Sequence, residues 1–147
     1  MKRSSFLQIT DDRMINLDHV ANISLDAERD KVIFGMDFTN ECDGKTVTNF
    51  ISVQGIDAIN STLKDNLYFN EHFFSKSLTQ NRGYINFEKI SSVKYEASRK
   101  RVIINLTNSN TLADPKRGEV LVTAFIYLNF KTDAEYAAYL KYLEQIL

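Results

Sequence analysis

The stretch Met14-Ile15-Asn16-Leu17-Asp18-His19-Val20-Ala21-Asn22-Ile23-Ser24-Leu25-Asp26-Ala27-Glu28-Arg29-Asp30-Lys31-Val32-Ile33-Phe34 is written a second time, seventy residues on. The second version reads Tyr84-Ile85-Asn86-Phe87-Glu88-Lys89-Ile90-Ser91-Ser92-Val93-Lys94-Tyr95-Glu96-Ala97-Ser98-Arg99-Lys100-Arg101-Val102-Ile103-Ile104. Ile15/Ile85, Asn16/Asn86, Ala27/Ala97, Arg29/Arg99, Val32/Val102 and Ile33/Ile103 are identities, and Asp18/Glu88, Val20/Ile90, Ile23/Val93 and Asp26/Glu96 keep their chemistry. Farther on, Val47-Thr48-Asn49-Phe50-Ile51 returns as Val122-Thr123-Ala124-Phe125-Ile126, and Asp57-Ala58 and Leu63-Lys64 return as Asp133-Ala134 and Leu140-Lys141. The growing offset belongs to connections, since loops absorb insertions that strands and helices do not. One insertion falls between Leu106 and Glu119, where Asn108, Asn110, Asp114, Pro115 and Gly118 supply turn chemistry.

Each version predicts the same elements. Phe6–Thr10 reads as a strand, and Met14–Leu17 with Ala21–Asp26 as one bent strand whose apolar residues alternate. In Lys31–Thr39, Val32, Phe34, Met36 and Phe38 share a face, and Lys45–Val53 returns beside it. Ile56, Ile59, Leu63 and Leu67 then follow helical spacing. In the second version Tyr84–Phe87, Ile90–Ala97, Arg101–Thr107 and Glu119–Phe130 repeat the strands, with Leu78-Thr79 matching Ile9-Thr10. Thr132 opens a helix whose stripe is Tyr136, Leu140, Leu143 and Leu147. The expected fold class is α+β: two tandem β-β-β-β-α repeats with antiparallel meander sheets, each crossed by one C-terminal helix, packed as an intramolecular pseudo-dimer. The first repeat spans 1–68, a packed connection including the start of repeat two spans 69–83, and the second repeat spans 84–147.

Composition narrows the function. Hydrophobic residues make up 44% and charged residues 25% of 147, which is globular material. A unit of about 65 residues is marginal alone, so the copies are expected to share a core. The net charge of −1 excludes a global field toward nucleic acid or an anionic membrane. Cys42 is the single cysteine, which rules out an internal disulfide and a multi-cysteine zinc site. No signal-like apolar run and no stretch of the roughly 20 apolar residues needed for a membrane span occurs, so the expectation is a cytoplasmic protein that does not engage a membrane.

Chemistry-bearing patterns are sparse. His19 is matched by Lys89 and His72 sits in the connection; two histidines without a spaced carboxylate set make no metal constellation. Asp18 and Glu88 lie at turns with no partner acid placed by sequence. Five glycines form neither a phosphate loop nor a nucleophile elbow. The expectation is no catalytic residue, no metal and no cofactor. Asn16/Asn86 and Asp18/Glu88, kept in both versions, are expected to hold a turn backbone.

A β-β-β-β-α unit used in pairs resembles the architecture of the PUR-domain and whirly families and their relatives, in which two units interlock through sheets and helices. The passage Phe125-Ile126-Tyr127-Leu128-Asn129-Phe130-Lys131-Thr132-Asp133-Ala134-Glu135-Tyr136 is similar to the strand-to-helix passage of PUR repeats. That resemblance implies single-stranded DNA or RNA as a partner and transfers no functional residue. A strand-rich barrel capped by a helix, as in pleckstrin-homology-like domains, has the same elements.

The residues themselves offer one candidate nucleic-acid surface, on the second repeat. Arg99, Lys100 and Arg101 sit at a hairpin tip, Lys89 and Lys94 on the neighbouring strand, and Lys116 and Arg117 on the inserted loop; together they track a phosphate backbone if the two hairpins lie side by side. Tyr95, Phe125 and Tyr127 supply stacking faces. If Val122, Ala124, Ile126 and Leu128 face the helix, Phe125 and Tyr127 face away from it. A competing reading makes Phe50 and Phe125 the contact between two sheets. It makes the protein a module for another protein or for its own copies, with Phe69–Phe74 or Tyr139 and Tyr142 as exposed apolar area.

Overall fold

The computed structural model describes residues 4–116 and 118–147, and the side chains of all of these except 39–42, 45–48, 108–114 and 118–123. Among the described residues it is an α+β fold of antiparallel sheets and three α-helices. The strands are β1 (Phe6–Thr10), β2 (Arg13–Asn16), β3 (Val20–Asp26), β4 (Lys31–Cys42), β5 (Lys45–Gln54), β6 (Phe73–Ser75), β7 (Gly83–Asn86), β8 (Ile90–Glu96), β9 (Arg101–Asp114) and β10 (Gly118–Asn129). Helices α1 (Ile56–Lys64) and α2 (Leu67–His72) follow β5, and α3 (Asp133–Ile146) follows β10.

The expected bent strand is two strands separated by a 3₁₀ turn, at Leu17–His19 and again at Phe87–Lys89. The cause is local. Asn16 Oδ1 accepts the Asp18 N–H and Asn86 Oδ1 accepts the Glu88 N–H, so each asparagine caps a tight turn in place of a strand ladder. Pairings on the two sides of these corners recur with an offset of seventy. Val20↔Met36, Asn22↔Gly35 and Ile23↔Phe34 in the first half correspond to Ile90↔Leu106, Ser92↔Asn105 and Val93↔Ile104 in the second. The irregularity in β4–β5 between Gly35 and Thr39 has its counterpart in β9–β10 between Asn105 and Ser109. Even the tips agree: Asp30 and Lys100 both take positive φ, and their carbonyls accept the N–H of Gly55 and Phe130.

Three expectations change. The first strand of the second half is Phe73–Ser75, paired with β7, and Leu78 and Thr79 lie in the loop after it. Residues 69–83 also hold most of α2, a separate helix opened by Asn66, whose side chain accepts the Phe69 N–H; Leu67, expected on the stripe of the first helix, belongs to it, and its six residues are too few for a period to show. Phe38 leaves the buried face of β4 because the irregularity after Gly35 shifts its parity.

Two cores result. The first gathers Leu7, Ile9, Ile15, Leu17, Ile23, Phe34 and Leu63 under α1; the second gathers Ile104, Leu106, Leu128, Tyr136, Tyr139 and Leu143 under α3. They meet at β7. The sheet order β5-β4-β3-β7-β6 carries the β6–β7 hairpin onto the edge of β3, through Asn22↔Ile85, Ile23↔Tyr84 and Ser24↔Gly83. Tyr84 and Phe73 enter the first core, while Ile85 and Phe74 enter the second. The aromatic connection is therefore buried, not exposed, and Tyr139 is fully buried with its hydroxyl donating to the Ser75 carbonyl at 2.7 Å. Tyr142 hydroxyl accepts the Ser75 N–H, so both tyrosines serve the interior. Leu147 ends outside the stripe, exposed. No helix among the described residues is long and apolar enough to cross a membrane.

Two groups hold the seam between β7 and β3. Gly83 has φ +125°, and a Cβ there would stand 2.0 Å from the Ile23 carbonyl oxygen. Lys76, buried, donates to Asn22 Oδ1 at 3.2 Å and Ser24 Oγ at 3.1 Å with no carboxylate paired to it among the described residues, and burial pushes its ammonium down to about 8 from 10.5. Gly83→Ala is expected to destabilise the fold by about 3 kcal/mol, since both the backbone conformation and the contact oppose a side chain; a urea midpoint that does not move would refute this. A folded-state pKa below the unfolded one means that folding opposes the charged lysine. Stability should therefore climb as pH rises from about 8 toward 10.5, by up to roughly 3 kcal/mol. Tyr68 and Tyr139, whose phenols are held above their ordinary value chiefly by burial, begin to oppose this above about pH 10. Denaturant titrations between pH 8 and 10 should show the climb in the parent chain and a flat line in Lys76→Met; equal slopes would exclude Lys76 as its source.

Candidate nucleic-acid interface

The sheet of β10, β9 and β8 buries one face under α3 and leaves the other open. Parity decides which side chains lie where. Ala124 and Leu128 are buried in the second core, so Phe125 and Tyr127 point outward, 40% and 49% exposed. The side chain of Val122 lies outside the described set. Across the outer face the rows are Phe125, Asn105 and Ser92, then Tyr127, Ile103 and Lys94, then Asn129, Arg101 and Glu96. The Phe125 and Tyr127 rings lie 4.9 Å apart, and the Arg101 guanidinium carbon sits 4.4 Å from the Tyr127 ring centroid. Arg101 also donates through Nε and Nη2 to Glu96 Oε1, at 2.8 and 2.5 Å, and that hydrogen bond holds the Glu96 carboxyl below its ordinary value. The result is an exposed patch of two aromatic rings tilted 48° to each other and a planar cation clamped by its carboxylate.

The other expected residues are brought together only in part. Lys94 is exposed on the same face, and no ion pair ties it to another described residue. Arg99 and Lys100 follow the end of β8 beside the Glu96–Arg101 row, Lys100 in the left-handed conformation at the tip. Lys89 is elsewhere: its ammonium meets Asp37 at 2.8 Å, on the first half of the chain. Tyr95 lies opposite Val102 and so belongs to the other face of the sheet. Lys116 is exposed in the turn after β9, and Arg117 lies outside the described residues. Because β9 begins at Arg101 and ends at Asp114, the two basic tips stand at opposite ends of a strand roughly 40 Å long, not side by side.

Phe50 occupies the position equivalent to Phe125, opposite Gly35 as Phe125 is opposite Asn105. It is 66% exposed, so these two rings do not form the expected contact between sheets. The corresponding outer face of the first sheet is partly roofed by Lys76 over Asn22 and Ser24, and it carries Ser52 where the second has Tyr127.

A second polar cluster lies where the two 3₁₀ corners approach α2. Tyr68 hydroxyl donates to Asp18 Oδ1 at 2.7 Å, and this bond lowers the Asp18 carboxyl, while burial and Asp18 together raise the Tyr68 phenol. Tyr68 stacks on His72 at 3.9 Å, His72 Nε2 lies 3.4 Å from Glu88 Oε1, and Asp37 lies between His19 and Lys89. The turn backbone is thus held by Asn16 and Asn86, as expected, while Asp18 and Glu88 turn outward to the helix. No sequence signal tied α2 to these corners, because Tyr68 and His72 have no counterpart in the repeat. Among the described residues no group of three or more His, Cys, Asp or Glu is placed to hold a metal ion. No protein-family model matches the chain, and no curated protein or solved structure is similar to it.

Proposed function

We propose that the chain is a tandem pseudo-dimer of one β-rich unit acting as a non-catalytic binding module, and that it takes single-stranded nucleic acid on the outer face of β8–β10. The observation that carries this reading is the exposed Phe125–Tyr127 pair with Arg101 over it. Exposed rings on an open sheet face stack bases without regard to sequence, and an arginine plane extends the platform. Lys94, Arg99 and Lys100 supply the charge along one margin of that platform, enough for three phosphate contacts. Lys89 and Lys116 are not part of this surface, so the basic footprint is smaller than the sequence suggests. The exposure of Phe50 favours a second reading, in which the outer faces receive another protein.

Anisotropy of labelled single-stranded DNA and RNA oligonucleotides over a salt series separates the two. Micromolar binding is expected, with a log–log salt slope of roughly −2 for three phosphates on a single strand. Phe125→Ala with Tyr127→Ala should weaken it tenfold or more, since each stacked base contributes about 1 to 3 kcal/mol. Lys94→Ala with Arg99→Ala and Lys100→Ala should flatten the salt slope. Absence of binding at low salt would sink the nucleic-acid reading and leave the protein partner.

A further inference from the structure

The chain contains two hairpins of the same pairing and lays only one of them on a further strand edge. Phe6↔Asn16, Leu7↔Ile15 and Gln8↔Met14 in β1–β2 correspond to Phe73↔Asn86, Phe74↔Ile85 and Ser75↔Tyr84 in β6–β7. Leu7 and Ile15 are buried, as Phe74 and Ile85 are. Their neighbours differ. Phe73 and Tyr84 are buried because β6–β7 lies on the edge of β3, whereas their counterparts Phe6 and Met14 are 50% and 56% exposed.

The receiving edge shows the reciprocal vacancy. β8 pairs with β9 as β3 pairs with β4, but among the described strands its other edge pairs with none. Val20 and Ile23 on β3 are fully buried, while their counterparts Ile90 and Val93 on β8 are partly exposed. Tyr95, in the position of Leu25, is 51% exposed. An uncovered hairpin and an uncovered strand edge therefore remain from a contact whose complete form exists inside the chain.

We propose that a second copy of this chain completes it, the β1–β2 hairpin of one molecule adding antiparallel to β8 of another and seating Phe6 and Met14 against Ile90, Val93 and Tyr95. By the internal register, Ser92 and Val93 face Ile15 and Met14 of the second copy. The contact is head-to-tail, so each molecule offers one hairpin and one edge, and association runs on or closes as a ring. One position sets its strength. Arg13 stands where Gly83 stands inside the chain, and the closeness that Gly83 permits leaves no space for a side chain. Arg13 must stay out of the ladder, which leaves two paired positions where the seam has three. It also faces Lys94, a like-charge pair that weakens the contact at low salt. The association is consequently weak, reversible and strengthened by screening. It does not depend on the nucleic-acid reading.

Sedimentation of the full chain without nucleic acid, from about 10 μM to about 1 mM, tests this over the range where so small a contact is populated. The mass should rise with concentration, and more so at high salt. Phe6→Ser with Met14→Lys, and separately Tyr95→Glu, change exposed side chains and should each associate at least tenfold more weakly while keeping the parent circular dichroism. An equal mixture of the two variants retains one intact hairpin and one intact edge, and should recover association that stops at two chains. Lys94→Glu should strengthen association at low salt. A parent chain that stays monomeric throughout, variants that associate like the parent, or a mixture no larger than its parts would each overturn the proposal.

Discussion

The pairing of β7 with β3 is the constraint on which the rest of the fold depends. Alternation along a strand sends successive side chains to opposite faces, and β7 is covered on both. Tyr84 therefore belongs to one core and Ile85 to the other, and a slip of one residue would exchange them. Gly83 and Lys76, opposite each other across the β6–β7 hairpin with the Lys76 N–H donated to the Gly83 carbonyl, both bear on the register. The first allows the backbones to meet where a Cβ has no space; the second fixes the hairpin to the polar edge of β3 through Asn22 and Ser24. A buried lysine with two neutral acceptors is an expensive fastening. Its compensation is directional: an apolar side chain in that place would fill the same volume without choosing a register.

From that seam the polar corners follow. Once the second half is locked onto β3, its 3₁₀ turn approaches β4, and Asp37 takes the Lys89 ammonium at 2.8 Å across the two halves. α2 fills the angle between the corners, with Tyr68 reaching back to Asp18 and His72 forward to Glu88. The shifts agree with this arrangement, because a hydrogen bond from a phenol to a carboxylate favours the ionised acid and the neutral phenol together. A lysine counted from sequence as part of a phosphate-binding row is in this way a tie between halves.

Much of this was legible in the residues. The recurrence of Ile-Asn, of Ala-x-Arg and of Val-Ile carried the element order, because each marks a position the backbone uses twice: the Asn cap, the hairpin tip and the buried face. Parity along β10 placed Phe125 and Tyr127 outside from the spacing of Ala124, Ile126 and Leu128 alone. What stayed hidden has physical reasons. That the corner breaks the strand into two around a 3₁₀ turn was hidden, because the alternation of Met14–Leu17 and Ala21–Asp26 reads equally well as one bent strand. α2 has six residues, too few for a period to show. The separation of the two basic tips depends on β9 continuing to Asp114, and Asn108, Asn110 and Asp114, which predict a turn after Leu106, belong to that strand, with Pro115 in the turn beyond it. Neighbourhood in sequence overstated neighbourhood in space.

The positions at which the halves agree and those at which they differ are not scattered alike. Agreement lies on backbone duties: the asparagine caps, the strand irregularities, and the tip residues in the left-handed conformation, Asp30 and Lys100. At that tip even the side chain is free to change, since only its carbonyl is used, by Gly55 in one half and Phe130 in the other. The outer faces keep Phe50/Phe125 and Ile33/Ile103 but differ beside them, where Ser24, Ser52 and a roofing lysine correspond to Lys94, Tyr127 and open solvent. Phe125 and Tyr127 sit side by side on the outer face of β10, with an arginine clamped over one of them by Glu96. The half that roofs its neighbour's strand is thus the half whose own sheet is left uncovered, and the same seam that closes one face determines which face stays open to solvent.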